Sequence, residues 1–442
     1  MSRRTTRRRV LGGLASLPLA GVLPGVGCTR ERPRATREFD ISAYDTALLP
    51  REHGQLTRLT GSLRRRYPSR EHCMQMAAFF SASRGLLVVA KDARGGVADW
   101  EVLPGQRLKI HFYGDVPEVE TSAIEPTIEA AAAGYRQWAM KQHWVAGRRR
   151  ASRKLSFISQ ASLSSLVLER AHFEQVRTVA GSPAGMWLTQ WRRYPFDRMY
   201  PDYGAREPEQ LASTLTAVRT SDAIAFPYVN GLLWDQGLAS FRHTSAQAAL
   251  RTQTLGTAPY SSELNFLRYA CPHTQAWQDC IARTRAAITD STGQASGGIY
   301  LDMLAATEPL LCWATDHGHA PGDPYAWQDG IRELLRRTAG AIMVEGSAEV
   351  YLDSVDYMLM HLYTDQSDAV PLWTSVYGDQ AHAVGWRLPV GVTATQLQTI
   401  LQRARKFKVG GFATPWMTSE PEIALFDRGV AQAALKDAGA LQ

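Results

Sequence analysis

Two carboxylates and a histidine pair stand out in this 442-residue chain for their spacing. Asp302 closes the apolar run GGIYLD, and Glu345 closes AIMVE, 43 residues later. That interval is close to one strand-and-helix repeat, so the two would project from neighbouring strand ends into one cleft. Paired carboxylates suit glycosidic-bond hydrolysis, one as nucleophile and one as acid/base, about 5 to 5.5 Å apart in retaining enzymes and about 6.5 to 9.5 Å in inverting ones. The apolar residues before Glu345 would desolvate it and raise its pKa, as an acid requires. A lone strand-end carboxylate would cap a helix or pair with an arginine; two on consecutive units favour chemistry.

Asp316-His317-Gly318-His319 follows Asp302 in the same stretch. His317 and His319 could join Asp302 as ligands of a hydrolytic divalent ion, or could belong to an ordinary loop. The HxH pair of a metal-dependent barrel normally ends an early strand, so neither a metal nor another cofactor is expected. Further polar and aromatic residues near expected strand ends are candidate substrate contacts: Trp191, Tyr228, Asn230, Trp234, Asp235, Asp356 and Trp416. Aromatic faces stack on sugar rings, while carboxylates and amides bind hydroxyls. Each has a plainer role to set against this: turns for Asn230 and Asp235, a helix cap for Asp356, packing for the tryptophans. No glycine-rich phosphate loop of the right spacing is present, which argues against a nucleotide site.

The elements that must position these residues are legible as alternating runs. Strands are expected at 184–191, 222–231, 296–304, 340–348, 355–363, 371–379 and 408–416, with helices at 206–219, 272–288 and 324–339. An eighth strand would lie in 155–170 or 264–270. This predicts an α/β fold, a (β/α)8 TIM barrel over 151–430. Short alternating runs at 41–120 predict a small or truncated β-sandwich before it. A linking helix is expected within 121–150, opened by the Ser122-Ala-Ile-Glu125 capping box.

Residues 1–28 read as a targeting segment: arginines 3, 4, 7, 8 and 9, a weakly apolar run, then Gly27-Cys28. The Arg-Arg pair resembles a twin-arginine (Tat) export signal, and Cys28 a lipoprotein lipidation site, although Gly25 stands where leucine is usual. Residues 29–40 would form a tether to the membrane. Export places the protein in the periplasm or on the cell surface. The five arginines carry most of the formal +7, leaving about +2, so the basic balance is no nucleic-acid footprint. Cys73, Cys271, Cys280 and Cys312 remain; an exported chain permits a disulfide, such as Cys271 with Cys280 or Cys312. Lacking any CxxC pair, the chain is not expected to carry a structural zinc site.

Taken together, IAFPYVNGLLWD, RYACPHTQAWQDCI, GGIYLDML, DHGHAPGDPYAWQDGIRELL and VEGSAEVYLDSVDYML resemble a bacterial family of uncharacterised glycoside-hydrolase-like TIM barrels with an N-terminal β-sandwich. That family is distantly similar to endo-α-N-acetylgalactosaminidases and to the α-amylase and α-galactosidase groups. The resemblance implies Asp302, ending strand four, as nucleophile and Glu345, on strand five, as acid/base. It also implies that the loop with His317 and His319 lies over the cleft, one imidazole bonding a sugar hydroxyl. The expected function is a retaining glycoside hydrolase acting on an oligo- or polysaccharide. Its rivals are a glycan-binding surface lipoprotein without catalysis and a metal-dependent hydrolase using Asp302, His317 and His319.

Overall fold

The computed structural model describes residues 31–147 and most of 155–413, leaving out 163–183, 192–204, 363–366, 388–401 and a few shorter stretches. Cys28 and Trp416 lie outside the described residues. Nine short strands come first: β1 (Ala35–Asp40), β2 (Thr46–Leu49), β3 (Gln55–Arg58), β4 (Leu63–Tyr67), β5 (Met76–Phe80), β6 (Gly85–Ala90), β7 (Ala98–Leu103), β8 (Arg107–Phe112) and β9 (Val119–Ile124). They form two antiparallel sheets, ordered β1-β8-β7-β4 and β3-β2-β5-β6-β9. Leu48, Phe79 and Val88 from one sheet and Trp100, Leu108 and Ile110 from the other are buried in one apolar cluster. The segment expected to hold a small or truncated β-sandwich holds two sheets. Residues 35–40, read as tether, are β1, which pairs antiparallel with β8 from Ala35–Phe112 to Asp40–Arg107.

Arg66 and Asp99 are buried between neighbouring strands, Nε to Oδ1 at 2.7 Å. Burial alone would raise the Asp99 carboxyl; the Arg66 hydrogen bond and charge outweigh it and hold it at about 2. Arg66 also donates to the Pro309 carbonyl at 3.2 Å, reaching the loop after Asp302.

Helix α1 (Ile128–Ala139) follows, with Thr127 as N-cap accepting from the Ala130 amide. The expected capping box fails because Ser122 lies in β9 and Glu125 precedes Pro126, which disfavours helical backbone at that residue. After α2 (His143–Ala146) the chain enters a second kind of sheet. Its elements are β10 (Phe157–Ser162), β11 (Ala184–Thr189), α3 (Pro208–Thr220), β12 (Ala223–Asn230), β13 (Leu233–Asp235), α4 (Ala239–Ala248), β14 (Leu267–Tyr269) and α5 (Gln275–Thr292). Then come β15 (Gly298–Ala305), α6 (Ala326–Arg337), β16 (Ala341–Gly346), β17 (Tyr357–Leu362), α7 (Leu372–Tyr377), β18 (His382–Arg387) and β19 (Gly410–Ala413).

Strands β10, β11, β12, β15, β16, β17, β18 and β19 pair in that order, all parallel, and β10 pairs with β19 to close the ring. The excursion β13–β14 is a separate antiparallel pair. The repeat is irregular between β16 and β17, where the connection carries a 3-10 turn, Glu349–Tyr351, and no α-helix. One expected strand is a helix: 371–379 holds α7, and the strand follows at β18. Its β-branched and aromatic residues suggested extended chain, yet Leu372, Trp373, Val376 and Tyr377 are buried at helical spacing behind Pro371.

Glu349 joins the two sheet systems. Fully buried, it accepts from Tyr135 of α1 at 2.7 and 2.9 Å, from the Gln75 amide before β5 at 3.1 Å, and from Tyr377 of α7. Burial pushes its carboxyl up to about 7, against the pull of the phenols and the amide. A raised folded pKa means that the folded state keeps the proton longer than the unfolded chain. Stability should therefore fall as pH rises from about 4.5 to about 7 and level off above, by roughly 3 kcal/mol at most from this group. Urea denaturation at pH 5 and pH 8 should show this loss in the wild type and a smaller one in Glu349→Gln; equal losses would clear Glu349 of the effect.

Candidate functional site

Parallel strands present alternate side chains to the barrel interior. Ile158, Phe226, Tyr228, Tyr300, Met343, Tyr357, Leu359 and Val384 form one such cluster, with Trp187 packed against it. Residues of the other parity, such as Val229, Leu301, Val344 and Met358, join the cluster that the helices cover. Counting on by two from the interior set reaches Asp302 after Tyr300 and Glu345 after Met343, at the C-terminal ends of adjacent strands. This is the end where barrel sites form.

Two phenols hold Asp302: Tyr228 donates to Oδ2 at 2.8 Å and Tyr300 to Oδ1 at 3.0 Å. Burial first, then the charges of Asp302 and Glu345, push the Tyr300 phenol well above its ordinary value, so it stays a donor. Immediately after Asp302 the β15–β16 register slips, and Met303 takes a left-handed φ of 70°. Such backbone is costly for a residue other than glycine, and such strain clusters at functional sites. The displaced Met303 amide donates to Glu345 Oε2 at 3.2 Å, so the bulge after one carboxylate orients the other.

The other Glu345 oxygen, Oε1, meets Arg70 Nη1 at 3.1 Å. Arg70 comes from the turn between β4 and β5, so the front module supplies a cation to the barrel mouth. The expectation of a carboxyl desolvated by its own strand is corrected here: Glu345 is partly exposed and ion-paired. Glu52, between β2 and β3, belongs to the same charge cluster. Burial pushes it up to about 7; Arg70 opposes this, and the charges of Glu71 and Glu345 reinforce it. With His53 and His361 it lines a small pocket.

The other expected contacts are distributed differently. Tyr228 is at the site. Trp191 is fully buried and donates to the Tyr228 carbonyl at 2.8 Å, bracing that strand rather than facing a cleft. Asn230 is buried and accepts from the Leu232 and Leu233 amides at 3.0 and 2.7 Å, so it forms the turn after β12. Trp234 packs between Phe241 and Trp277, and Asp235 caps a turn by accepting from the Gly237 amide. Asp356 accepts from the Ile342 amide at 2.8 Å, which places it at the N-terminal end of the barrel, opposite the site. His317 is buried; its Nδ1 faces Cys312 Sγ at 3.4 Å, and His319 Nε2 faces Cys271 Sγ at 3.4 Å. These imidazoles address cysteines and not Asp302, which removes the geometric basis for a metal-dependent hydrolase built on the three. The four described cysteines form no disulfide with one another, so the bridge that export would permit is absent among them.

Sequence reading missed Tyr300, Arg70 and Glu52. Tyr300 had a usable signal, since i and i+2 share a strand face with Asp302. Arg70 and Glu52 had none, being far from Glu345 in sequence.

Fold and site together define an α/β protein with a closed parallel barrel that presents two carboxylates at adjacent strand ends behind a two-sheet β-module. The chain belongs to the family described as "Domain of unknown function (DUF6259)", whose model matches residues 121–388. It is 30% identical over 231 residues to a Bacteroides thetaiotaomicron protein provisionally named a glycoside hydrolase, covering 48% of this chain and 33% of that protein. A Monosiga brevicollis protein of similar provisional name is 25% identical over 257 residues, 52% of this chain and 21% of that one. The chain thus spans about a third and a fifth of these relatives. Among solved structures, the α-N-acetylgalactosaminidase NagBb of Bifidobacterium bifidum matches with a TM-score of 0.69 at 12% identity, over 90% of this chain and 74% of that one. The α-galactosidase TtGalA of Thermus thermophilus, in complex with stachyose, matches with a TM-score of 0.58 at 12% identity, over 89% and 90%.

The Arg70–Glu345 contact makes a measurable link between the two modules. In a double-mutant cycle with Arg70→Met and Glu345→Gln, urea denaturation should give a coupling of about 1 kcal/mol that shrinks as salt is raised. Strict additivity would reduce the pair to an incidental contact.

Proposed function

We propose that this protein is a glycoside hydrolase whose (β/α)8 barrel, behind a β-sandwich, cleaves by retention, with Asp302 as nucleophile and Glu345 as acid/base. The observation that carries this reading is the pairing of Asp302 and Glu345 on adjacent strand ends, both acting on Tyr300 and joined through the Met303 amide. The provisional names of the relatives and the glycosidase fold of the structural neighbours support it.

In this mechanism Glu345 takes a proton from water as the incoming glycoside displaces Arg70; an Asp302 oxygen then attacks the anomeric carbon, the bond to the leaving oxygen breaks, and that oxygen takes the Glu345 proton. Water then gives a proton back to Glu345 while its oxygen displaces Asp302, so both carboxyls return to their starting states. Tyr228 and Tyr300 aim the nucleophile. Arg70 orients Glu345 until an incoming glycoside competes for it. The export signal and the lipid anchor at Cys28 belong to this proposal: a surface-tethered enzyme acting on external carbohydrate.

Aryl α-galactosides and α-N-acetylgalactosaminides are the first substrates to test, being the sugars named for the neighbours. On any substrate turned over, Asp302→Asn and Glu345→Gln should each cut kcat by at least about a thousandfold with folding intact, because each removes a reacting group. Nuclear magnetic resonance of the first-formed sugar should show the substrate's own anomer. Full activity in Asp302→Asn, or an inverted first product, would sink the mechanism. A second reading, glycan capture without cleavage, is favoured by the ion pair that occupies Glu345 at rest; binding on a carbohydrate array with no released reducing ends would select it.

Loss of one phenol should be milder. Tyr300→Phe should lower kcat/KM by roughly tenfold to a hundredfold, the worth of one hydrogen bond to a charged group. An unchanged rate would remove Tyr300 from the site.

A further inference from the structure

Four buried or half-buried side chains of ligand type converge away from the Asp302–Glu345 pair. Cys271 precedes α5, while Cys312, His317 and His319 lie in the segment between β15 and α6. Their ligating atoms all lie within 4.8 Å of one another. We propose that Cys271, Cys312, His317 and His319 form a structural zinc site.

Chemistry and geometry agree. Two thiolates and two imidazoles in a closed, buried set are the donors that select zinc. With Zn–S near 2.3 Å and Zn–N near 2.0 to 2.1 Å, tetrahedral coordination puts sulfur and nitrogen about 3.6 Å apart. The Cys312–His317 and Cys271–His319 pairs both stand at 3.4 Å.

The surroundings of the ligands also fit. A metal-binding imidazole usually commits its other nitrogen to an outer acceptor. His317 has Nε2 on the Ala246 carbonyl at 3.1 Å, leaving Nδ1 toward the cysteine; His319 has Nδ1 on the Ala320 carbonyl at 2.9 Å, leaving Nε2 inward. Both rings thus turn their remaining nitrogen to a sulfur. The Arg251 amide points at Cys312 Sγ at 3.5 Å, as an amide donating to a thiolate would. Cys280, buried in α5, is not one of the four.

The site has a structural task. Residues 306–325 run from β15 to α6 with no helix or strand, yet Leu311, Cys312, Ala314 and His317 are buried. Loops of that length need a reason to hold one shape. Zinc would clamp this loop to the α4–α5 region, where Ala246 and Cys271 already meet it. Metal bound only by the folded chain stabilises it by mass action.

Metal analysis of the full chain, purified under reducing conditions, should find one zinc per molecule. Cobalt replacement should give sulfur-to-cobalt charge-transfer absorption and the intense visible bands of tetrahedral coordination. Cys271→Ser and His319→Ala should lose the metal, and Cys280→Ser should keep it. A strong chelator should lower the wild-type melting temperature by several degrees and expose two thiols to a thiol reagent. Wild-type protein with well under one metal per chain, or with Cys271 and Cys312 recovered as a disulfide-linked peptide, would overturn the proposal. None of these measurements uses glycosidase activity, so failure here and failure of the proposed function are separately visible.

Discussion

A carboxylate with no access to water governs the seam on which the site depends. Glu349 sits where Gln75 of the front module, Tyr135 of the linking helix and Tyr377 of the barrel meet, and each donates to it. Burying a carboxyl is tolerable only when its oxygens are well supplied with donors, and these donors come from elements far apart in sequence. Satisfying Glu349 therefore requires the two sheet systems to dock in one relation. Through that relation the β4–β5 turn carries Arg70 onto Glu345.

At the barrel mouth the same logic runs at smaller scale. Tyr228 and Tyr300 each donate to Asp302, the Met303 amide and Arg70 each donate to Glu345, and the strain at Met303 is the local cost of turning that amide toward Glu345. A straight continuation of β15 would have left that amide in the ladder. The bulge is thus part of the site and not an irregularity beside it. Glu52 shows the opposite outcome: burial, which Arg70 only partly offsets and the charges of Glu71 and Glu345 reinforce, pushes it toward its neutral form.

Seven of the eight barrel strands fall in segments that periodicity or an unplaced alternative had marked, because strand burial is written in nearest-neighbour alternation. The exception, 371–379, failed because aromatic and β-branched content was weighed above the spacing of Leu372, Trp373, Val376 and Tyr377. Tyr228 and Asp302 meet, with Glu345 on the next strand, because each lies on the inward face toward the C-terminal end of its strand. Trp234, Asp235 and Asn230 were misjudged because composition near a strand end does not say whether a polar group faces a cleft or closes a turn. Asp356 was assigned to the wrong end of its strand, since a carboxylate before β17 serves the strand starts.

The sequence by itself determined the alternation of β15 and β16, and with it that Asp302 and Glu345 share a face one repeat apart. That is local information, carried by residues two positions away. Tertiary structure alone decided what surrounds them: Arg70 reaches Glu345 across 275 residues, and Cys271 meets His319 across 48. Such meetings are set by how separate elements pack and by which buried polar groups must find donors. The HxH pair pointed to a metal, but with Asp302 as its partner; nothing in the spacing joins it to Cys271 and Cys312, which only the folded loops bring together.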